Sequence, residues 1–182
     1  SFMDKEAADR HRTEDHWDVV EDAGRGWRRV VASPVPKKIL ELDTIRSLAE
    51  AGTVVVAVGG GGIPVLEDAN GALTGASAVI DKDLASSLLA QKLGADTLII
   101  STAVEKVCLD FGKPSQRAVS KMTVSEAKRY MAEGHFQAGS MLPKVKAVIE
   151  FLENGGTQAI ITNPENLEAA VAGQAGTHVV RG

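Results

Sequence analysis

Four consecutive glycines, Gly59-Gly60-Gly61-Gly62, precede Ile63-Pro64 and stand directly behind the apolar run Thr53-Val54-Val55-Val56-Ala57-Val58. No other stretch constrains the chain as much. Consecutive glycines have no side chain to pack and lose the most backbone freedom on folding, so they are kept where something must approach the backbone closely. A phosphate group is the usual visitor to such a loop. The run in front reads as a strand, because small and β-branched apolar residues without polar alternation mark a strand buried on both faces. Such strands belong to parallel sheets, whose ligands sit at the carboxyl ends of the strands. The competing reading is a sharp turn out of a core strand with no ligand. Neither common phosphate signature is present. No Gly-Lys-Ser/Thr closes the loop, and Ile63-Pro64 stands where a dinucleotide fingerprint needs a helix to open, which disfavours a Walker-type ATPase and a nicotinamide dehydrogenase.

Composition narrows the setting. At 182 residues, with 44% hydrophobic and 24% charged residues, the chain suits one globular domain, or one domain plus an appendage. Its net charge of -4 and its scattered basic residues give no footprint for nucleic acid or an anionic membrane. Cys108 is the single cysteine, so no internal disulfide is expected. No signal-peptide pattern and no run near the ~18 apolar residues of a membrane span occurs, which makes a cytoplasmic location the expectation. The chain opens on Ser1-Phe2-Met3-Asp4, and is expected to be processed, tagged, or a piece of something longer.

Lys5 to Arg12 reads as a solvated, charged helix. Trp17–Val20 and Arg28–Val31 read as strands of a hairpin turning through Asp22-Ala23-Gly24-Arg25-Gly26. Ser33-Pro34-Val35-Pro36 breaks the chain, placing a boundary between residues 1–34 and 35–182. Beyond it, Ile39, Leu42, Ile45 and Leu48 recur every three residues as an amphipathic helix ending at Ala51-Gly52. A helix over Asp83–Leu93 turns Leu84, Leu88 and Leu89 inward and ends at Gly94, before a second buried strand, Thr97–Ser101. Thr123 opens a helix through Glu133. Ser140 opens another, with Met141, Val145, Val148, Ile149 and Leu152 on one face, ending at Gly155-Gly156. A third buried strand, Ala159–Thr162, a helix over Pro164–Ala172 and a short strand at His178-Val179-Val180 complete the chain. Helices alternating with buried strands argue an open α/β sheet covered on both faces.

Two lysines fall where helices begin, Lys82 within Asp81-Lys82-Asp83 and Lys144 within Ser140-Met141-Leu142-Pro143-Lys144. A lysine at a helix N-terminus opposes the helix dipole at a cost of a few tenths to about 1 kcal/mol. Contact with a phosphate at about 4 Å returns on the order of 4 kcal/mol at an effective dielectric near 20. A bound anion outweighs the mismatch; otherwise these are two surface lysines placed by accident. Of Asp81 and Asp83, one is expected to cap the helix. The other is expected to hold Lys82 or help position a metal-bound nucleotide. His11, His16, His135 and His178 have no metal-site spacing. Cys108 has no neighbouring histidine in sequence, so covalent catalysis has no support.

Several segments together resemble one family: Glu21 to Val31, Gly59 to Pro64, Ala78-Val79-Ile80-Asp81-Lys82-Asp83-Leu84-Ala85, Phe111-Gly112-Lys113-Pro114, Glu133-Gly134-His135-Phe136, and Gly139-Ser140-Met141 with Pro143-Lys144-Val145. In this order they are similar to the carbamate kinases of the amino acid kinase superfamily. The resemblance implies a three-layer αβα, open, mainly parallel sheet with a small hairpin and helix appendage at the N-terminus. Residues 1–34 would be the return from a protruding subdomain, and 35–182 the nucleotide-binding domain.

It also implies reversible phosphoryl transfer between ATP and carbamate, usually run from carbamoyl phosphate and ADP toward ATP in arginine or other nitrogen catabolism. Lys82 and Lys144 would neutralise the phosphoryl group in flight and Asp81 would organise them. Gly59, Gly60, Gly61 and Gly62 would border that group. Asp83, then Ser101, Thr102, Ala103, Val104 and Val107, and then His135, Phe136, Gly139, Ser140 and Met141 would hold the nucleotide, with Mg²⁺ bridging its phosphates. A homodimer is implied as well.

Two departures stand out. The family's amino-terminal Gly-Gly-Asn loop has no counterpart, so the chain resembles the carboxyl-terminal, ATP-binding half and is expected to turn over little alone. Ala103 stands where relatives often carry an aspartate. Another small-acid kinase of the superfamily, or a non-catalytic nucleotide sensor, are the alternatives; retention of Asp81, Lys82 and Lys144 argues against the sensor.

Overall fold

The computed structural model describes residues 2–22 and 24–182, so Ser1 and Ala23, both named above, lie outside the described residues. The chain divides into two compact units, residues 1–34 with 63–79, and residues 35–62 with 80–182. The second unit is thus interrupted, where the sequence suggested an unbroken 35–182. Ile63–Val79 joins the first unit because its chain runs alongside Ala32, bridging Ala32 to Ala78 and donating Val79 N–H to Ala32 O at 2.9 Å.

The first unit has helix α1 (Lys5–Glu14), the antiparallel hairpin β1 (Asp18–Glu21) and β2 (Trp27–Val30), and a second hairpin. That second hairpin, β3 (Val65–Glu67) with β4 (Leu73–Gly75), carried no regular sequence pattern; its turn is made by Asp68, whose Oδ1 accepts from Asn70 N and Ala72 N. Among the described residues of α1 and the first hairpin, Ala8 and Val19 are buried. Stacking does much of the holding: Arg29 lies over Trp17 at 4.5 Å, Trp17 stacks on His11 at 4.2 Å, and Arg12 lies 5.5 Å over Trp27. Asp22 closes the first turn with Arg25 and Arg28, which hold its carboxyl below the usual carboxylate range, Arg25 foremost.

The second unit is built on a four-stranded sheet in the order β5 (Thr97–Ser101), β9 (Gln158–Thr162), β10 (Thr177–Val180), β8 (Lys121–Thr123). β5 runs parallel to β9 and β10 parallel to β8, while β9 and β10 are antiparallel, giving a mainly parallel sheet. The hairpin β6 (Val107–Leu109) and β7 (Arg117–Val119) flanks it. Helices α3 (Lys82–Leu93), α4 (Val124–Ala132) and α5 (Met141–Glu153) belong to its main core, α2 (Leu42–Glu50) packs on α3, and α6 (Leu167–Val171) lies on the opposite face. β9 shows this layering directly. Ala159 and Ile161 enter the main core, while Ile160 packs with Ala170 and Ala175 on the other side.

Local chemistry explains the helix limits. Asp81 caps α3 by accepting from Asp83 N at 2.8 Å and Leu84 N at 3.1 Å, and Gly94 ends it in the left-handed region at φ 70. Thr123 and Glu126 form a reciprocal capping box at α4, and the Thr123 backbone N–H, then its hydroxyl, hold the Glu126 carboxyl below its usual range. α5 buries Val145, Val148, Ile149, Phe151 and Leu152, each contributing on the order of 1.5–3 kcal/mol. Its position is therefore fixed by the core.

Several expectations are corrected. Thr53–Val58 forms no strand, with Val54 93% and Val56 95% exposed and Val58 in a bend at φ 54, because no described strand lies beside it to complete a ladder. β5 alternates, burying Leu98 and Ile100 while Ile99 faces out, because it is an edge strand covered on one face. In α3 the buried positions are Asp83, Ala85 and Ser87, with Leu84, Leu88 and Leu89 half-buried. Small residues let α3 approach α5 closely enough for Ser87 Oγ to donate to Ala147 O at 2.7 Å. Ile39 precedes α2, and the helix expected from Pro164 is a 3-10 turn (Pro164–Asn166) followed by α6.

Candidate phosphoryl-transfer site

A cavity of about 400 Å³ opens in the second unit between the first turns of α3 and α5, the loop after β5, and the start of β6. Its electrostatic anchor is a pair 61 residues apart in sequence, Lys144 Nζ donating to Asp83 Oδ2 at 2.8 Å. Lys144 is 9% and Asp83 6% exposed. Asp81 does the capping, so the remaining acid serves Lys144 and not Lys82. Both charges have left most of their water, and the bond between them compensates each.

Lys82, the first residue of α3, is exposed and has no ion-pair partner among the described residues, although it lines the same cavity. At α5 the N-terminus has no side-chain cap, although Leu142 N donates to the Gln137 carbonyl at 3.1 Å. Ser140 makes no side-chain cap, no acid occupies the first turn, and Pro143 contributes no N–H. No side chain of α5 itself therefore offsets the positive end of that helix dipole beside the cavity.

The far wall comes from the sheet. Thr102 N donates to Thr162 O at 2.8 Å, prolonging the β5–β9 ladder, and Thr102, Ala103 and Val104 then turn across the cavity mouth. His135 also lines it. Its Nδ1 accepts from Asp110 N at 3.3 Å, and its Nε2 lies 3.2 Å from Glu133 Oε2, an arrangement that suits the Nε2–H tautomer. Lys113, foremost, and Ser115 hold the Asp110 carboxyl below the usual range, which pins the turn that presents Phe111. Gly139, Ser140 and Met141 complete the lining from the α5 side.

Some expected residues lie elsewhere. Ser101 faces a neighbouring hollow of about 420 Å³, which shares Thr102 and Ala103 with the main cavity. Val107 and Phe136 are buried in the core. The glycine loop does not line the cavity. Gly61, at φ 131, has no room for a Cβ, which would sit 2.0 Å from Ile80 O, so the group approaching this glycine is the chain's own backbone. Around Gly59, Gly60 and Gly62 the space is open within 4 Å.

Lys106, Cys108, Phe111, Gln137 and Pro143 also line the cavity, although the sequence alone assigns none of them an individual role there. The two-residue period of β6 carries the signal for the first two. Val107 and Leu109 face the core, which leaves Lys106 and Cys108 on the cavity side.

With this geometry in view, comparison with known proteins is informative. The sequence model of the amino acid kinase family matches residues 10–163. The chain is 51% identical over 180 residues to the carbamate kinase-like protein YahI of Escherichia coli (strain K12), and 50% identical over 180 residues to the carbamate kinase of Thermococcus kodakarensis. Each match covers 99% of this chain and 57% of the relative, so the chain spans little more than half the length of the curated relatives it matches. Among solved structures, carbamate kinase from Giardia lamblia bound to AMP-PNP superposes with a TM-score of 0.89 at 41% identity, covering 100% of this chain and 57% of that one. The fold, the sequence over 154 consecutive residues (10–163) and the relatives agree: the chain belongs to the amino acid kinase family.

Proposed function

We propose that this chain carries the nucleotide-binding and phosphoryl-transfer face of a carbamate kinase. The observation that carries the reading is the convergence of Lys82 and Lys144, each at a helix N-terminus, on one cavity. The names of the relatives and the AMP-PNP held by the Giardia lamblia enzyme support it.

In the direction of ATP synthesis, a β-phosphate oxygen of ADP attacks the phosphorus of carbamoyl phosphate. The P–O bond to carbamate breaks, and carbamate leaves with the electron pair. The chain's part is positioning and charge neutralisation. Lys82 supplies an unpaired ammonium, Asp83 holds Lys144 at the cavity, and the uncapped α5 N-terminus adds the positive end of its dipole. Asp81 sets the first turn of α3 and so the place of Lys82. Thr102, Ala103, Val104, His135, Gly139, Ser140 and Met141 hold the nucleotide.

Magnesium arrives with the nucleotide. Among the described residues no three His, Cys, Asp or Glu side chains gather to cage a metal, and Asp81 and Asp83 are already engaged, so phosphate oxygens and water suit Mg²⁺ as ligands. Arginine or other nitrogen catabolism, a cytoplasmic setting and a homodimer accompany this reading through the family resemblance.

The test joins this chain to the amino-terminal portion of the Thermococcus kodakarensis relative that lies outside the match, and measures ATP formation from ADP and carbamoyl phosphate. The joined protein is expected to form ATP, and the chain alone to bind ADP with little turnover. An inactive joined protein that still binds ADP contradicts the carbamate kinase reading. Full turnover by the chain alone contradicts the division of the site.

A further inference from the structure

Lys106 enters the cavity from a different wall than the two helix-start lysines. The backbone behind it is tightly fixed. Val107 N donates to Thr177 Oγ1 at 2.8 Å, and that hydroxyl donates to Val119 O at 2.5 Å, both buried. With Val107 locked into the core, strand alternation leaves Lys106 facing the cavity.

Its side chain is only 28% exposed, yet among the described residues its one ionic neighbour is the adjacent Glu105, at 3.6 Å and with a side chain 48% exposed. A partly desolvated ammonium with so loose a partner is under-compensated. The contrast with Lys144 matters, because Lys144 already spends its charge on Asp83 at 2.8 Å. Lys82 on one wall and Lys106 on the other are the cavity lysines that, among the described residues, hold no carboxylate at hydrogen-bond distance.

We propose that Lys106 is a nucleotide-binding residue whose ammonium contacts the phosphate chain of the nucleotide from the β6 wall, opposite the helix termini. This rests on the nucleotide reading of the cavity given above. Lys106 then discriminates by charge. It favours ADP over adenosine, while the walls that hold the base and ribose serve both.

The test is calorimetric binding of ADP and of adenosine to the full chain, unsubstituted and as Lys106→Met and Lys106→Arg. Lys106→Met is expected to weaken ADP about tenfold to a hundredfold, the usual range for a hydrogen bond to a charged group. Adenosine should move by less than about twofold, Lys106→Arg should recover most of the ADP affinity because it restores the charge, and the salt dependence of ADP binding should become shallower in Lys106→Met. A merely structural lysine would weaken both ligands together. ADP affinity unchanged in Lys106→Met, or ADP and adenosine weakened equally, overturns the assignment of Lys106 alone. Absence of ADP binding by the unsubstituted chain overturns the nucleotide reading and this inference with it.

Discussion

Breaking the Asp83–Lys144 pair should be among the costlier single changes in the second unit. Lys144→Met leaves a carboxylate only 6% exposed without its cation, and Asp83→Leu leaves an ammonium only 9% exposed without its anion. Removing one partner of a buried pair costs about 3–5 kcal/mol. The pair borders an open cavity, so water reaches the orphaned group and the lower end, about 3 kcal/mol, applies here. For a chain of 182 residues that corresponds to a fall in Tm of roughly 6–12 °C.

Replacing both together, Asp83→Leu with Lys144→Met, leaves no orphan and should cost at least about 2 kcal/mol less than the two single changes summed. Urea unfolding followed by circular dichroism, with the slope m checked for constancy, gives all the corners of the cycle. Single changes that each cost under about 1 kcal/mol and simply add would show that the pair does not form, and would free Lys144 from Asp83.

Two further substitutions probe other joints. Gly61→Ala should destabilise by roughly 1–3 kcal/mol, since its Cβ would meet Ile80 O at 2.0 Å. Gly60→Ala, with nothing within 4 Å and no positive φ, should stay within about 0.5 kcal/mol; equal Tm shifts for the two would refute the close approach. At α4, the Thr123 contacts depress the Glu126 carboxyl below its ordinary value of 4.5. A depressed acid stabilises above its unfolded value and loses that contribution as pH falls through the lower, folded one. The difference in urea midpoint between wild type and Glu126→Gln should therefore hold steady at neutral pH and shrink on acidification below 4.5. A difference that grows in acid would contradict the capping box.

What could be read in the sequence is what local chemistry decides. The Asp81 cap, the Gly94 stop and the Thr123–Glu126 box each depend on residues within one turn, and Ala159–Thr162 reads as buried because both of its faces are covered. What could not be read depends on distant partners. The valines of Thr53–Val58 have the composition of a double-covered strand, but composition supplies no neighbouring strand, and Val54 and Val56 stand exposed. Asp83 and Lys144 meet across 61 residues, and no local pattern announces which lysine an aspartate will choose. That Lys106 and Cys108 face the cavity is hidden for a simpler reason: a three-residue strand shows its alternation only after the strand itself is known.

The most direct measurement of phosphoryl transfer at this cavity is the steady-state kinetics of Lys82→Ala in the joined protein, with ADP and carbamoyl phosphate as substrates. Lys82 is exposed and unpaired among the described residues, so its loss removes charge without disturbing the core. An ammonium that neutralises charge developing in the transition state is expected to lower kcat by about a hundredfold or more while the KM for ADP changes less than about threefold. An unchanged kcat would remove Lys82 from the reaction and contradict the placement of phosphoryl transfer between these two helices.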